Sequence, residues 1–353
     1  MKNVNNKGFT VKLNSSIGFV VLALSIIVIA TSTAQTNTDS TPSNTVDTAI
    51  SESFSTDGVL CDIDVIDSSS SGDSLELTSI YTWSCSDTER LLAANGIPDH
   101  EVGVFTRTPI AEQDISHQIT LDPTLTDTAT ELGGPRGILA YALNGIKFDP
   151  GTAGTCNDSG DDCNRGGGTG IWSLEALGEN SFNFGEDMNN AHVQPGGTYH
   201  YHGVPEGVLD NLSQGQEVMT LVGWASDGFP VYARYGYSDP NDASSEIKVI
   251  TGSYQTKATP DENRPSTDLY GMGTFSQDWE YVEGLGDLDE CNGRTGVTPE
   301  FPEGIYHYYA TDTYPFMTRC VKGEVTITRR GPGNTGGERP ERPERPEVPA
   351  EGQ

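Results

Sequence analysis

The side chains best suited to chemistry in this chain are the two imidazoles of Thr198-Tyr199-His200-Tyr201-His202. The segment is short and aromatic and follows a Gly-rich turn, so it reads as a β-strand. Successive side chains of a strand face opposite sides, which puts His200 and His202 on one face and Tyr199 and Tyr201 on the other. Two imidazoles so placed can reach a single metal ion, and neutral imidazole suits zinc, copper, iron and nickel. The tyrosines are then expected to enter the core and fix the strand's rotation. His192 lies upstream, beyond the Gln194-Pro195-Gly196-Gly197 turn, which can fold it back as a third ligand. Gly304-Ile305-Tyr306-His307-Tyr308 echoes the segment, and His307 is a candidate fourth ligand or the mark of a second site. The echo fits an internal duplication and equally a common local strand design. The bland alternative for His-x-His is a pair of ordinary hydrogen-bonded histidines.

Carboxylates beside such a cluster could complete a coordination sphere or act as a general base. Asp227 sits in a Ser-Asp-Gly turn, while Asp289, Glu290, Asn292 and Arg294 crowd a second loop. Asp before Gly is also an ordinary turn residue. Arg294 could clamp a substrate carboxylate or merely pair with Glu290. Cys156 to Cys163 encloses Asn157, Asp158, Ser159, Asp161 and Asp162, oxygen donors that would suit Ca²⁺, although the EF-hand pattern is absent. A disulfide-closed polar loop explains the same residues. There is no Gly-x-Ser-x-Gly elbow, phosphate loop or His-Glu-x-x-His helix, which argues against serine hydrolase, nucleotide-binding and zincin chemistry.

The elements that must position these residues read as mostly β. Expected strands are Val59–Ile66, Leu75–Trp83, Gly137–Ile146, Thr198–His202, Glu217–Trp224, Val231–Tyr235, Ile247–Tyr254, Trp279–Val282, Ile305–Ala310 and Met317–Ile327. Helices are expected at Thr88–Asn95, capped by Thr88 and ended by Gly96, and at Pro205–Leu212. The predicted class is mainly β: an antiparallel β-sandwich or barrel-like domain with long Gly-rich loops and a few short helices.

Around that domain the chain changes character. Lys2, Lys7 and Lys12 precede an apolar run from Ile17 to Ala30 and the small residues Thr31-Ser32-Thr33-Ala34. This predicts a signal peptide over 1–34, too short to read as a membrane span and leaving no stable membrane insertion after cleavage. Residues 35–55 read as a disordered Ser/Thr-rich linker, 56–330 as the β domain, and 331–353 as a disordered tail repeating Glu-Arg-Pro. Six cysteines fit an oxidising compartment, and proximity suggests Cys61–Cys85, Cys156–Cys163 and Cys291–Cys320 among the 15 possible connectivities. The expected location is secreted or periplasmic. A net charge of −31 excludes a nucleic-acid partner, because phosphate backbones would meet like charge.

The whole set of short motifs resembles the YHYH-domain family, whose tetrad is Tyr199 to His202. The matches run through Ala142-Leu143-Asn144-Gly145, Asn190-Ala191-His192-Val193 and Gly223-Trp224-Ala225-Ser226-Asp227-Gly228-Phe229-Pro230 to Ser253-Tyr254. They continue with Leu288-Asp289-Glu290-Cys291-Asn292-Gly293-Arg294, Tyr314-Pro315 and Arg319-Cys320, covering Leu139 to Gly323. Ala191 stands where the family usually has Gly. The resemblance implies one module joining His192, the tetrad and the later acidic loops, and it implies no activity. Cupin spacing is also present in His200, His202 and Glu206, but Gln194 and Ser213 replace the flanking glycines of that motif. Three functions remain: an exported binder of a transition metal, copper or zinc; a hydrolase or oxidase using such a metal at the same site; or a metal-free module whose tyrosines stack on a glycan or other partner.

Overall fold

A computed structural model of the 353-residue chain describes residues 61, 63–67, 77–133, 137–178 and 182–325. The expected signal peptide, linker and Glu-Arg-Pro tail lie outside the described residues.

The chain first builds a four-stranded antiparallel sheet from β1 (Ile63–Asp67), β2 (Ser79–Cys85), β3 (Glu89–Ala94) and β4 (Ile115–Thr120). Then follow β5 (Leu125–Glu131), a hairpin of β6 (Ala140–Ala142) and β7 (Lys147–Phe148), and a small sheet of β8 (Thr155–Cys156), β9 (Cys163–Asn164) and β10 (Trp172–Ser173). A second hairpin, β11 (Ala191–Gln194) and β12 (Thr198–Tyr201), leads into α1 (Glu206–Ser213), the one α-helix among the described residues. Next come β13 (Thr220–Ala225) and β14 (Pro230–Ala233), then the short pairs β15 (Tyr235–Tyr237) with β16 (Ile247–Val249) and β17 (Tyr254–Thr256) with β18 (Trp279–Tyr281). The hairpin β19 (Gly293–Gly296) and β20 (Ile305–Ala310) precedes β21 (Cys320–Gly323), which pairs with β5.

The site is carried by an eight-stranded sheet of order β11-β12-β7-β6-β13-β14-β20-β19. Its pairings read the same from either end: the β12–β7 and β14–β20 pairs are parallel and the rest antiparallel. A two-fold operation about the central β6–β13 pair therefore exchanges the halves. The details agree. Both inner hairpins close with a glycine amide on the carbonyl three residues back, Gly145 on Ala142 and Gly228 on Ala225, each at 2.9 Å. Both glycines have positive φ, 77° and 95°, where an L side chain is strained. Tyr201 meets the Asn144 turn and Tyr308 the Asp227 turn, at 2.9 and 2.6 Å. Tyr199 donates to Asp187 and Tyr306 to Asp289, at 2.8 and 2.9 Å. The Tyr-His-Tyr echo is thus the visible part of an internal duplication.

The two faces of this sheet divide the core. Tyr141, Trp224, Tyr232 and Tyr309 on one face bury against Tyr81, Trp83, Leu92 and Ile119 of the four-stranded sheet, a sandwich contact. Tyr199, Tyr201, Phe148, Val231 and Tyr308 on the other join Val208 and Leu209 of α1. The three proximity pairings of cysteine are all formed.

Several expectations need correction. Thr88–Asn95 is not a helix but contains β3, whose Arg90 and Leu92 point inward in alternation. Gly137–Ile146 is not one strand, because the Gly145 turn ends β6 and starts the return. Ile247–Tyr254 splits into β16 and β17, which belong to different sheets. The mainly β class with a sandwich contact holds, and the sheet bearing the tetrad adds two parallel pairs to otherwise antiparallel pairing. Pro205–Leu212 is helical as expected, shifted by one residue to α1.

Candidate metal centre

The β11–β12 turn folds His192 directly opposite His200, with Gly197 N–H bonded to Gln194 C=O at 3.1 Å. Gly196 and Gly197 supply the two positive φ values, 96° and 84°. His202 follows the end of β12, and its amide is held by the carbonyl of Asn190 at 2.8 Å. On the opposite side Tyr199 and Tyr201 are buried, as the alternation requires, and their phenols bond Asp187 and the Asn144 amide. Buried in this way, the tyrosines of the tetrad present no ring to a glycan.

The three imidazoles meet with ring centroids 4.7 to 4.8 Å apart, and one ligand atom from each lies within 4.8 Å of the others. Among the described residues they are the one group of three or more His, Cys, Asp or Glu that could hold an ion. Each Nδ1 faces a backbone carbonyl: Phe184 at 3.1 Å from His192, Thr198 at 3.3 Å from His200, and Pro150 at 3.2 Å from His202. A carbonyl only accepts, so each Nδ1 carries the proton and each Nε2 is left with its lone pair. Yet Nε2 of His192 and Nε2 of His202 stand 3.2 Å apart. Two lone pairs at that distance repel unless a proton or a cation lies between them. Burial pushes the pKa of all three histidines down, well down for His200 and His202, so protonation is the disfavoured remedy. Two nitrogens bound to one tetrahedral zinc at 2.0–2.1 Å would sit roughly 3.3 Å apart, close to the separation found. The donor set fits a borderline transition metal.

Residues that the sequence did not single out complete the surroundings. Glu186 lies 3.6 Å from His192 Nδ1, and burial raises its pKa. Asp149, paired with Lys147 at 2.8 Å, lines the same cavity as His192 and His200. This cavity, of about 1160 Å³, opens over His192 and His200, with His202 buried behind them. No spacing rule links Glu186 or Asp149 to the tetrad, since a loop and a parallel pairing bring them in.

The other candidates stand elsewhere. His307 is on β20, separated from β12 by four strands, or roughly 24 Å at 4.8 Å per strand, so it cannot share the ion. It lies opposite Arg294 as His200 lies opposite His192, with its Nδ1 on the Ile305 carbonyl at 2.9 Å and its buried Nε2 without a hydrogen bond. Tyr309 holds the place of His202, and the Arg294 guanidinium bonds its phenol at 3.2 Å and the Tyr237 carbonyl at 2.8 Å. Arg294 is thus tied to β15 and Tyr309 and not to Glu290, whose partner is Lys322 at 3.1 Å. Asp289 accepts from Tyr306 and from the amides of Cys291 and Gly293. Asp227 is fully buried, bonded by Tyr308 and the Gly323 amide, with burial raising its pKa. These four brace the second half of the sheet and not the triad. In the Cys156–Cys163 loop Asp161 turns onto Asn157 and Ser159, and Asp158 accepts from the Trp172 indole.

No curated protein and no solved structure matches this chain. A family model described as YHYH protein matches residues 116–323, reaching further toward the N-terminus than the motifs alone and taking in β4 and β5. With more than half of its length matched and the tetrad at the centre of the eight-stranded sheet's first half, the chain belongs to the YHYH family.

Proposed function

We propose that this protein is exported and holds one transition-metal ion, zinc or copper, on Nε2 of His192, His200 and His202. The observation that carries the reading is the 3.2 Å approach of two Nε2 atoms whose Nδ1 partners are already committed to carbonyls. Carbonyls at Nδ1 orient the rings and raise the basicity of the facing nitrogens. Three disulfides suit an oxidising compartment, which supports the expected signal peptide. A second reading, a metal-dependent hydrolase or oxidase, is favoured by the cavity beside His192 and His200, through which a substrate could reach an ion held there. A bound ion would supply Lewis acidity there, and Glu186, 3.6 Å from His192 Nδ1 and with its pKa raised by burial, is a carboxyl placed to hold a proton.

The test is metal analysis of the full chain isolated after native export. About one equivalent of transition metal is expected. His200→Ala with His202→Ala should remove it while the circular dichroism spectrum and the disulfides persist. Metal-free wild-type protein, or a double variant that keeps its ion, would overturn the proposal. Chelation should also lower Tm, by an amount set by affinity and ion concentration.

A further inference from the structure

With 51 acidic residues against 20 basic ones, most of this chain's surface repels anions, yet the cavity over the triad has the opposite balance. Asp149 is the one carboxylate among its lining residues, and Lys147 neutralises it at 2.8 Å. Arg107 and Arg165 line the same cavity. Elsewhere Arg234, Arg264, Arg319 and Lys322 each meet a carboxylate. Arg107 and Arg165 form no ion pair among the described residues, and Arg165 has only the Asn183 carbonyl as acceptor. Arg165 also feels the charge of Glu186 beside the triad, whereas Arg107 has no carboxylate partner among the described residues. Two exposed guanidiniums lining one cleft of so acidic a chain, neither held in an ion pair, mark a place suited to negative charge. Phe105, Phe182 and Phe184 add apolar wall.

We propose that the cavity takes a small organic carboxylate with an apolar or ring-shaped body, its anionic end drawn to Arg107 and Arg165 above the histidine triad. The guanidinium fork matches a carboxylate through paired N–H donors, and the phenylalanines cover the body. A cationic ligand would meet like charge, and a neutral one would leave the guanidiniums without a partner. A cavity of about 1160 Å³ accommodates a molecule of sugar or aromatic-acid size. The inference rests on the metal reading only for a third point of attachment, because the arginines act with or without the ion.

Binding of benzoate and of its neutral isostere benzamide, measured by calorimetry on the full chain with and without zinc, tests this. Benzoate should bind roughly tenfold or more tighter than benzamide. Arg107→Gln with Arg165→Gln should erase that preference while leaving benzamide binding, metal content and Tm unchanged. Both residues are at the cavity's rim, so the variant is expected to fold. Equal affinities for the two probes, absent benzoate binding, or a preference that survives in the double variant would overturn the proposal. Protein that carries no metal but still shows an arginine-dependent preference would sink the metal reading and uphold the anion site.

Discussion

The two halves of the eight-stranded sheet share a scaffold and differ in what they place on one face. Both keep the hairpin with a left-handed glycine, the asparagine of positive φ before the outer strand (Asn190 at 54°, Asn292 at 56°), and two buried tyrosines bonded to turn residues. On the facing side the first half has His192, His200 and His202, and the second has Arg294, His307 and Tyr309. The scaffold evidently does not require three histidines, since the second half closes the same positions with a guanidinium bonded to a phenol. That makes ordinary packing a poor explanation of the triad. Where the second half carries its positive charge covalently, on Arg294, the first leaves nitrogen lone pairs converging on nothing within the chain.

The largest effect expected from this comparison is a change in metal stoichiometry. Arg294→His with Tyr309→His rebuilds the triad around His307, whose Nδ1 already bonds a carbonyl and whose Nε2 lacks a partner. The variant should bind about two equivalents of zinc where the wild type binds one, read by metal analysis after dialysis. Binding of a single equivalent by the folded variant would mean that the halves are equivalent in backbone alone.

Next in size is the difference between the two turns. Asp227 is buried and accepts from Tyr308 at 2.6 Å and Gly323 N–H at 2.8 Å, whereas Asn144 donates to Tyr201 and to Asp99, both at 2.9 Å. Asp227→Ala strands these two buried donors and also the Phe229 amide, bonded at 3.3 Å, and should cost about 3–4 kcal/mol. Asn144→Ala should cost about 1–3 kcal/mol, because the Tyr201 phenol keeps His100 as a partner at 2.5 Å. Urea unfolding of the two variants checks the order, and a reversed order would show that the second half's acid is dispensable.

What could be read from the sequence follows the reach of each signal. Strand alternation and a Pro-Gly-Gly turn are local, and they sufficed to bring His192, His200 and His202 together. Neighbouring cysteines likewise sufficed for the three bridges. β3 was misread as a helix because Leu91-Leu92-Ala93-Ala94 favours helix locally, while pairing with both β2 and β4 decides the outcome. The duplication showed only as Tyr-His-Tyr, since the matching turns, Asn144-Gly145-Ile146 and Asp227-Gly228-Phe229, share just a glycine. His307 looked like a fourth ligand because sequence similarity says nothing of position across a sheet. Arg107, Arg165 and Glu186 come from loops whose approach to the triad no local pattern encodes.

The last expected effect concerns acid and shows only as a pH dependence. Burial lowers the His307 pKa to about 4, against an ordinary 6.5. Above pH 6.5 the imidazole is neutral in both folded and unfolded chains, and stability does not depend on it. As pH falls from 6.5 to 4 the unfolded chain takes up a proton that the folded one refuses, so stability is lost across that window. Below pH 4 both forms are protonated and the loss levels off. The full loss is at most roughly 3 kcal/mol for a shift of this size. His307→Gln should remove it, flattening the difference in unfolding free energy between pH 4 and 6.5 relative to wild type with both proteins metal-free. The triad histidines push in the same direction in that state, but they are common to both proteins and cancel in the comparison. An unchanged pH slope in the variant would mean that His307 is solvated enough to titrate normally, and that the second half is less closed than the first.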